Sequence, residues 1–349
     1  MEPENKYKAV YENIVKFQDF AYIPFYITTC VNSIARLRVT EKIGATLESK
    51  KSSDDIAAEL HINPDYLYRT MHFLALNGFF VELPGNVFQH TQLSLTLTDP
   101  SVRDETLMMN SNIFNRSFET LSESIVSGVS MAPKAWGATD LWDAFGKDPK
   151  EETEFTLGMT AITTRTSPVL AELGNYSNYE TICDLGGSQG ILLAEILRQY
   201  PSVKSAINFD QAYVFENSKG QDRAITKNPR YSEHPGNFFE SVPTADLYIL
   251  KSILHDWTDE KSRLILNTIA KSCKPTSKVH IMEYVMDDGP KGNEAYVSML
   301  DILLLQVCDG KERTKKQFEG IVGGTPFTIE TILKPTLLHS QNIIVLKLK

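Results

Sequence analysis

Hydrophobic positions recur at helical spacing through the first part of the chain and switch, in the second half, to short apolar runs alternating with amphipathic stretches. Residues from about Tyr7 to Thr46 read as helical, with Phe17, Phe20, Ala21, Ile23, Phe25, Tyr26, Ile27 and Val31 crowded together and Ile34, Leu37 and Val39 following. So wide an apolar face on a terminal segment is buried in the protein's own core or against a second subunit. Ser53–Leu60 reads as a short N-capped helix, His61-Ile62-Asn63-Pro64 as a turn, and Asp65 as the cap of a second helix closed by Asn77-Gly78. Phe79–Leu83 and Val87–Thr91, around Pro84-Gly85-Asn86, read as two strands. Two helices and a hairpin in this order make a winged helix. About Thr106 to Thr166 is mainly helical, broken at Gly128, Pro133, Gly137 and Pro149, and Phe155 and Met159 share a helix face there.

The second half repeats strand and helix. Strands are expected at Tyr179–Cys183, Ser205–Asp210, Ala245–Leu250 and Lys278–Glu283, with two closing strands around Phe327–Ile329 and Asn342–Leu346. Helices are expected after Gly190, from Asp259 to Lys271, and around Met299–Leu305. Tyr231–Phe239 reads as a connection containing a turn. Strand and helix alternating over this length imply an α/β fold with a doubly wound sheet. The expected division is an N-terminal domain over 1–105 and a second domain over 106–349, with 106–170 as a helical linker.

Composition narrows the class. The chain has 349 residues, 42% hydrophobic and 23% charged, which is ordinary for globular proteins and long enough for two domains. A net charge of −9 argues against broad nucleic-acid binding. The second helix of the winged helix offers chiefly Arg69 beside Tyr66, Tyr68 and His72, a poor base-reading surface, which points to a structural use of the motif. The four cysteines, Cys30, Cys183, Cys273 and Cys308, form no metal-binding spacing and read as reduced thiols. No signal peptide starts the sequence and no run approaches the ~20 apolar residues of a membrane span. The expectation is a cytoplasmic protein without nucleic-acid or membrane partners.

Candidate chemistry gathers at Cys183-Asp184-Leu185-Gly186-Gly187-Ser188-Gln189-Gly190, a strand end, a glycine turn and the start of a helix. This arrangement brings backbone N–H groups to a ligand at the carboxyl edge of a sheet. Asp210 lies 26 positions after Asp184, at the tip of the next strand, where an acid can bind both hydroxyls of a ribose. NAD would use that acid too, but its fingerprint G-x-G-x-x-G is absent. A nucleoside without phosphates, such as S-adenosylmethionine, fits better.

Taken in order, Asp184–Gly190, Phe209-Asp210, His234–Phe239, Leu250-Lys251, His255-Asp256-Trp257, Glu283 and Gly310–Thr314 resemble the S-adenosylmethionine-dependent O-methyltransferases of the caffeic acid and hydroxyindole O-methyltransferase type. The winged helix matches as well, so the resemblance spans nearly the whole chain. It implies a Rossmann-like class I methyltransferase sheet and an N-terminal winged-helix dimerisation domain that also helps form the partner's substrate pocket. By position it assigns Asp184, Gly186, Gly187, Gly190, Asp210, Gln211, Asn237, Phe238 and Lys251 to the cofactor, with S-adenosylhomocysteine as product. His255 is implied as general base flanked by Glu283 and Glu312; Phe155, Met159, Asp256 and Trp257 are implied in the substrate pocket. No metal is implied. The family usually has glycine at Ser188 and aspartate at Asn237; Asn237 keeps an acceptor for the adenine amino group but loses charge, so cofactor affinity is expected to fall modestly.

The chemistry is consistent with that assignment. A phenol (pKa ~10) against an ordinary imidazole (~6.5) leaves an uphill proton transfer of roughly 5 kcal/mol. Carboxylates beside His255 favour imidazolium, a sulfonium favours phenolate, and alignment of the reacting atoms supplies much of the rest. Glu312, set between Lys311 and Arg313, reads by itself as a surface ion pair. The expected function is O-methylation of a hydroxyl on a small aromatic metabolite by a homodimer. The alternatives are a cofactor-binding member of the fold with non-methylating chemistry, such as decarboxylation or a pericyclic reaction, and a winged-helix regulator.

Overall fold

The computed structural model describes residues 3–218, 223–287, 294–336 and 339–349. The chain divides into two compact units, Met1–Asn112 with Thr153–Ala161, and Ile113–Glu152 with Ile162–Lys349.

In the first unit, helices Pro3–Ala21 and Ile23–Leu37 precede a three-stranded antiparallel sheet of β1 (Lys50–Ser52), β2 (Phe80–Leu83) and β3 (Val87–His90), ordered β1-β3-β2. Helices Ser53–Leu60 and Pro64–Leu76 connect β1 to β2. The caps sit one or two residues earlier than the sequence implied: the Ser52 side chain accepts from Asp55 N–H, and Asn63 rather than Asp65 accepts from Tyr66 N–H. Pro64 explains the second case, because proline lacks an N–H and is preorganised for the first helical position, leaving Asn63 to cap. Strand β1 is an addition to the expected hairpin; three polar residues carry no alternation to read. Ile34, Val39, Ile56, Met71, Leu74 and Phe88 form the buried centre of this unit. Phe17, Phe20, Phe25 and Tyr26 stay outside that core, from 57% to 83% exposed.

The second unit is built on a seven-stranded sheet. Its strands are β4 (Thr181–Leu185), β5 (Ser205–Asp210), β6 (Tyr231–Pro235), β7 (Leu247–Lys251), β8 (Lys278–Glu283), β11 (Phe327–Leu333) and β12 (Asn342–Leu348). Between β8 and β11, the two-residue strands β9 (Val285–Met286) and β10 (Arg313–Thr314) pair with each other in parallel. The order across the large sheet is β11-β12-β8-β7-β4-β5-β6, parallel from β8 to β6 and antiparallel where β12 meets β8 and β11. The alternation of strand residues sends Cys183, Phe209, Leu250 and Ile281 into one core and Ile182, Ala206, Ile249 and Met282 into another, the second covered by helix Ile191–Gln199.

Strand β6 corrects the reading of Tyr231–Phe239 as a connection. It is an edge strand of mixed polarity ending in Pro235, so neither an apolar run nor strict alternation marks it. The chain winds from β4 through β5 to β6, then returns past β4 to β7 and β8. The gap between the carboxyl ends of β4 and β7 is thus the topological switch point, where α/β sheets bind ligands. Among the described residues no helix is long and apolar enough to cross a membrane.

Candidate active site

The glycine turn leaves β4 at this switch point. Gly186 N–H donates to Phe209 O at 2.8 Å, tying the turn to β5. Ser188 takes φ 47°, and both sides of the residue are held: its N–H donates to Asp210 Oδ2 at 2.9 Å, and its carbonyl accepts from Asn208 Nδ2 at 2.8 Å. A Cβ on Gly187 would lie 2.4 Å from Asn208 Oδ1 and 2.9 Å from Asp184 Oδ2, so only glycine fits above those two side chains. Asp210 also accepts from Gln211 N–H at 2.7 Å, through Oδ1. Each of its oxygens therefore has one backbone donor and keeps lone-pair capacity for a ligand hydroxyl.

Below the turn, Asp184 is buried at the end of β4 and Lys251 at the end of β7 donates to Thr163 Oγ1 at 3.1 Å. Burial pushes Asp184 up to about 7, with Lys251 opposing and Asp210 reinforcing the rise. Burial likewise lowers Lys251 to about 8, against the pull of Asp184. Both groups thus lose solvation at the carboxyl ends of neighbouring strands, and each opposes through space the shift that burial imposes on the other.

The second cluster is centred on the 3₁₀ turn Leu254–Asp256 that follows β7. His255 donates its backbone N–H to Glu283 Oε1 at 3.1 Å, from the end of β8. Its Nδ1 lies 2.9 Å from Glu312 Oε1, and its Nε2 lies 3.6 Å from Asp256 Oδ1. The β9–β10 pairing lays the segment preceding Arg313 beside the end of β8, which explains how residues so far apart in sequence meet. Burial alone would depress the His255 imidazole, but Asp256, Glu312 and Glu283 override it and raise it to about 10. Burial raises Asp256 to about 6 and Glu283 to about 7, each with opposition from His255.

Glu312 departs from the surface ion pair that its neighbours suggested. It is 2% exposed, while Lys311 and Arg313 both turn to Asp259 at 3.0 Å. Arg313 is fully buried and donates also to Leu254 O and Trp257 O, each at 2.7 Å, so one guanidinium clamps both flanks of the histidine turn. Lys311 N–H donates to His255 O at 2.9 Å, and a Cβ on Gly310 would lie 2.1 Å from that carbonyl oxygen.

Other expected residues fall differently. Asn237 is exposed and spends its side chain locally, Oδ1 accepting from Phe239 N–H at 3.0 Å and Nδ2 donating to Glu240. Phe238 and Trp257 meet in an aromatic trio with Phe239, their closest pair being Phe238–Phe239 at 4.9 Å. Gln211 is exposed ahead of helix Ala212–Asn217. Phe155 and Met159 belong to the stretch assigned to the first unit. Sequence reasoning missed Asn208, Thr163 and Asp301, the last accepting from Glu312 N–H at 2.8 Å. An asparagine inside a strand and an acid on an apolar helix carry no signature before the fold assembles them. Among the described residues no three metal-binding side chains converge as a cation site.

Comparison with known proteins bears on the family and the fold. Residues 118–328, more than half the chain, match the O-methyltransferase domain. O-methyltransferase 9 of Dictyostelium discoideum is 31% identical over 292 residues, covering 82% of this chain and 81% of its own. Des-methyl DIF-1 methyltransferase A of the same organism is 32% identical over 321 residues, covering 88% of each. Human N-acetylserotonin methyltransferase, solved in complex with SAM, shares the fold at a TM-score of 0.81 and 20% identity, over 99% of this chain and 98% of that one. The matched domain, the level of identity and the coverage together establish that this chain belongs to the O-methyltransferase family.

Proposed function

We propose that the protein transfers a methyl group from S-adenosylmethionine to a hydroxyl, phenolic in kind, of a small aromatic molecule, with His255 at the acceptor oxygen. The observation that carries this reading is the convergence of His255, Glu283, Glu312 and Asp256 on one turn at the switch-point end of the same sheet whose glycine turn and Asp210 suit a ribose. Asp210 would hold the ribose hydroxyls with the backbone of Gly186, Gly187 and Gly190 close to the cofactor. The Asp184–Lys251 pair would lie under its amino-acid end, and Asn237 and Phe238 near the adenine. The cofactor supplies a methyl group on positively charged sulfur, which an oxygen nucleophile can displace. The chain's own part is to orient that oxygen, to favour its anionic form through the imidazole, and to surround the sulfonium with carboxylates.

The relative named des-methyl DIF-1 methyltransferase A supports a small-molecule acceptor. The exposed apolar face of helices Pro3–Ala21 and Ile23–Leu37 supports a homodimer as the working form. The test is incubation with isotope-labelled S-adenosylmethionine and a panel of phenolic metabolites, with product masses read out. His255→Ala should leave cofactor affinity nearly unchanged in calorimetry while turnover drops by about two orders of magnitude or more. Turnover that survives the substitution removes His255 from the chemistry.

A further inference from the structure

Beneath the glycine turn runs a chain of polar side chains that takes no part in the chemistry at His255. Strands β5 and β6 pair in parallel, with Asn208 opposite Glu233 and Ala206 opposite Tyr231. Residues two apart share a face, so Asn208, Tyr231 and Glu233 stand on the side of Ala206, where helix Ile191–Gln199 covers the sheet. Asn208 Nδ2 donates one hydrogen to Ser188 O at 2.8 Å and the other to Tyr231 Oη at 2.9 Å. The Tyr231 hydroxyl donates to Glu233 Oε1 at 3.2 Å, and the same oxygen accepts from Arg223 Nη2 at 2.6 Å. Arg223 Nε and Nη1 are buried without a hydrogen-bond partner among the described residues, so Glu233 is the group that answers this guanidinium.

The direction of each bond in the chain is set from its far end. A guanidinium only donates and the carboxylate paired with it only accepts, so Glu233 takes the Tyr231 O–H and leaves the phenol oxygen to accept. That oxygen calls for an N–H, which fixes the rotation of the Asn208 amide. With the amide reversed, Oδ1 would face the Ser188 carbonyl, acceptor against acceptor. Asn208 Oδ1 has no hydrogen-bond partner among the described residues, so it adds no further restraint. One of the two Nδ2 donations goes to the turn that must be held, and Tyr231 supplies the other. The hydroxyl also abuts the turn directly: a Cβ on Gly190, which opens helix Ile191–Gln199, would lie 2.9 Å from Tyr231 Oη. Ser188 donates its N–H to Asp210 Oδ2, so the residue that Asn208 restrains also orients the acid proposed for the ribose.

We infer that Tyr231 is a positioning residue for S-adenosylmethionine: through Asn208 its hydroxyl holds the glycine turn in the binding conformation, and the Arg223–Glu233 pair sets the polarity of that link. This role rests on the placement of the cofactor at the turn given above. It locates part of the cofactor's affinity on the edge strand β6. Removing the hydroxyl leaves one amide hydrogen buried without an acceptor and frees the amide to rotate. Ser188, left-handed at φ 47°, then loses its support.

The test is calorimetry of S-adenosylhomocysteine binding to the intact protein and its variants. Tyr231→Phe keeps the ring in its packing and removes the hydroxyl alone; affinity should fall about threefold to tenfold. A merely structural tyrosine would lower Tm and leave affinity as it is, which overturns the inference. Glu233→Gln keeps an acceptor for the hydroxyl and should stay within about twofold of wild type. A loss as large as that of Tyr231→Phe overturns the part assigned to Glu233. Adding Ser188→Gly to Tyr231→Phe should restore most of the affinity, because glycine adopts the turn conformation without support. Adding Tyr231→Phe to Asn208→Ala should weaken binding little further, since both act on one link. Fully additive losses would show that the tyrosine acts by another route and overturn the inference. Should Tyr231→Phe not fold, Arg223→Met combined with Glu233→Met leaves the tyrosine without its proton acceptor and must produce the same loss. Asp210→Ala separates this role from the reading beneath it. Undiminished binding by that variant removes the cofactor from the turn, and the inference with it. Binding lost in Asp210→Ala but unchanged in Tyr231→Phe overturns the positioning role alone.

Discussion

Asn208 sits fully buried in β5 and supports the glycine turn from beneath, its Nδ2 donating to Ser188 O and to Tyr231 Oη. Ser188 occupies the left-handed region at φ 47°, a conformation that costs a residue with a Cβ about 1–2 kcal/mol. Asn208→Ala should therefore lower stability by about 1–3 kcal/mol and weaken binding of S-adenosylhomocysteine. Adding Ser188→Gly should recover part of both, because glycine takes that conformation freely. Thermal melting and calorimetry on the two variants check this; recovery in neither would show that the turn does not depend on Asn208. Glu283 carries a pH prediction. Its folded pKa of about 7 lies above the ordinary 4.5, so the stability it contributes is full below about pH 4.5 and is lost as pH rises through about 7. Wild type should thus lose ground to Glu283→Gln between about pH 5 and about pH 8, by several degrees in Tm. A pH-independent difference between the two melting curves would contradict the assignment. Asp184, Asp210 and His255 were legible because each ends or follows an apolar strand. Asn208 was not, since its partner is the Ser188 carbonyl, 20 positions earlier in the chain and brought within 2.8 Å only by the fold.

At the scale of elements, the histidine turn is a short 3₁₀ segment with little stability of its own. It is held from outside by Arg313 on Leu254 and Trp257, by Glu283 on the His255 N–H, and by the close approach of Gly310 to the His255 carbonyl. Gly310→Ala places a methyl where that carbonyl stands, and the backbone must yield. The expected cost is about 1–3 kcal/mol in stability with a large fall in kcat and little change in cofactor affinity, because the glycine turn after β4 is untouched. Steady-state kinetics beside calorimetry separate the two effects, and a loss confined to cofactor affinity would count against the arrangement. The main strands announced themselves through apolar runs. Strand β6 escaped notice because an edge strand needs no such run, and β1 with the β9–β10 pair because two or three residues are too short for a periodic signal.

For the whole molecule, the decisive surface is the helical pair at the start of the chain. Tyr11, Phe17, Phe20, Phe25 and Tyr26 remain more than half exposed, an apolar display that a solitary subunit would hold at a cost in solubility. Under the homodimer reading, Phe20→Glu combined with Phe25→Glu should halve the mass measured by light scattering while leaving the chain folded by circular dichroism. An unchanged mass would place the subunit contact elsewhere. The same helical region was expected from the sequence to lie against a core or a partner, and periodicity could not choose between them. Within the first unit, part of the second helix is buried and the preceding aromatics are not.

The sequence alone determined the succession of strands and helices, the doubly wound class, the glycine turn with Asp184 and Asp210, and the resemblance to the O-methyltransferases. These properties are local: each depends on residue spacing within an element or on a turn between two elements. Only the tertiary structure decided the charge environment of His255. Glu312 looked like a surface acid between two cations until the chain buried it and turned Lys311 and Arg313 toward Asp259. The physical reason is that electrostatic state depends on distance through space and on lost solvation, and neither quantity is written in the order of the residues.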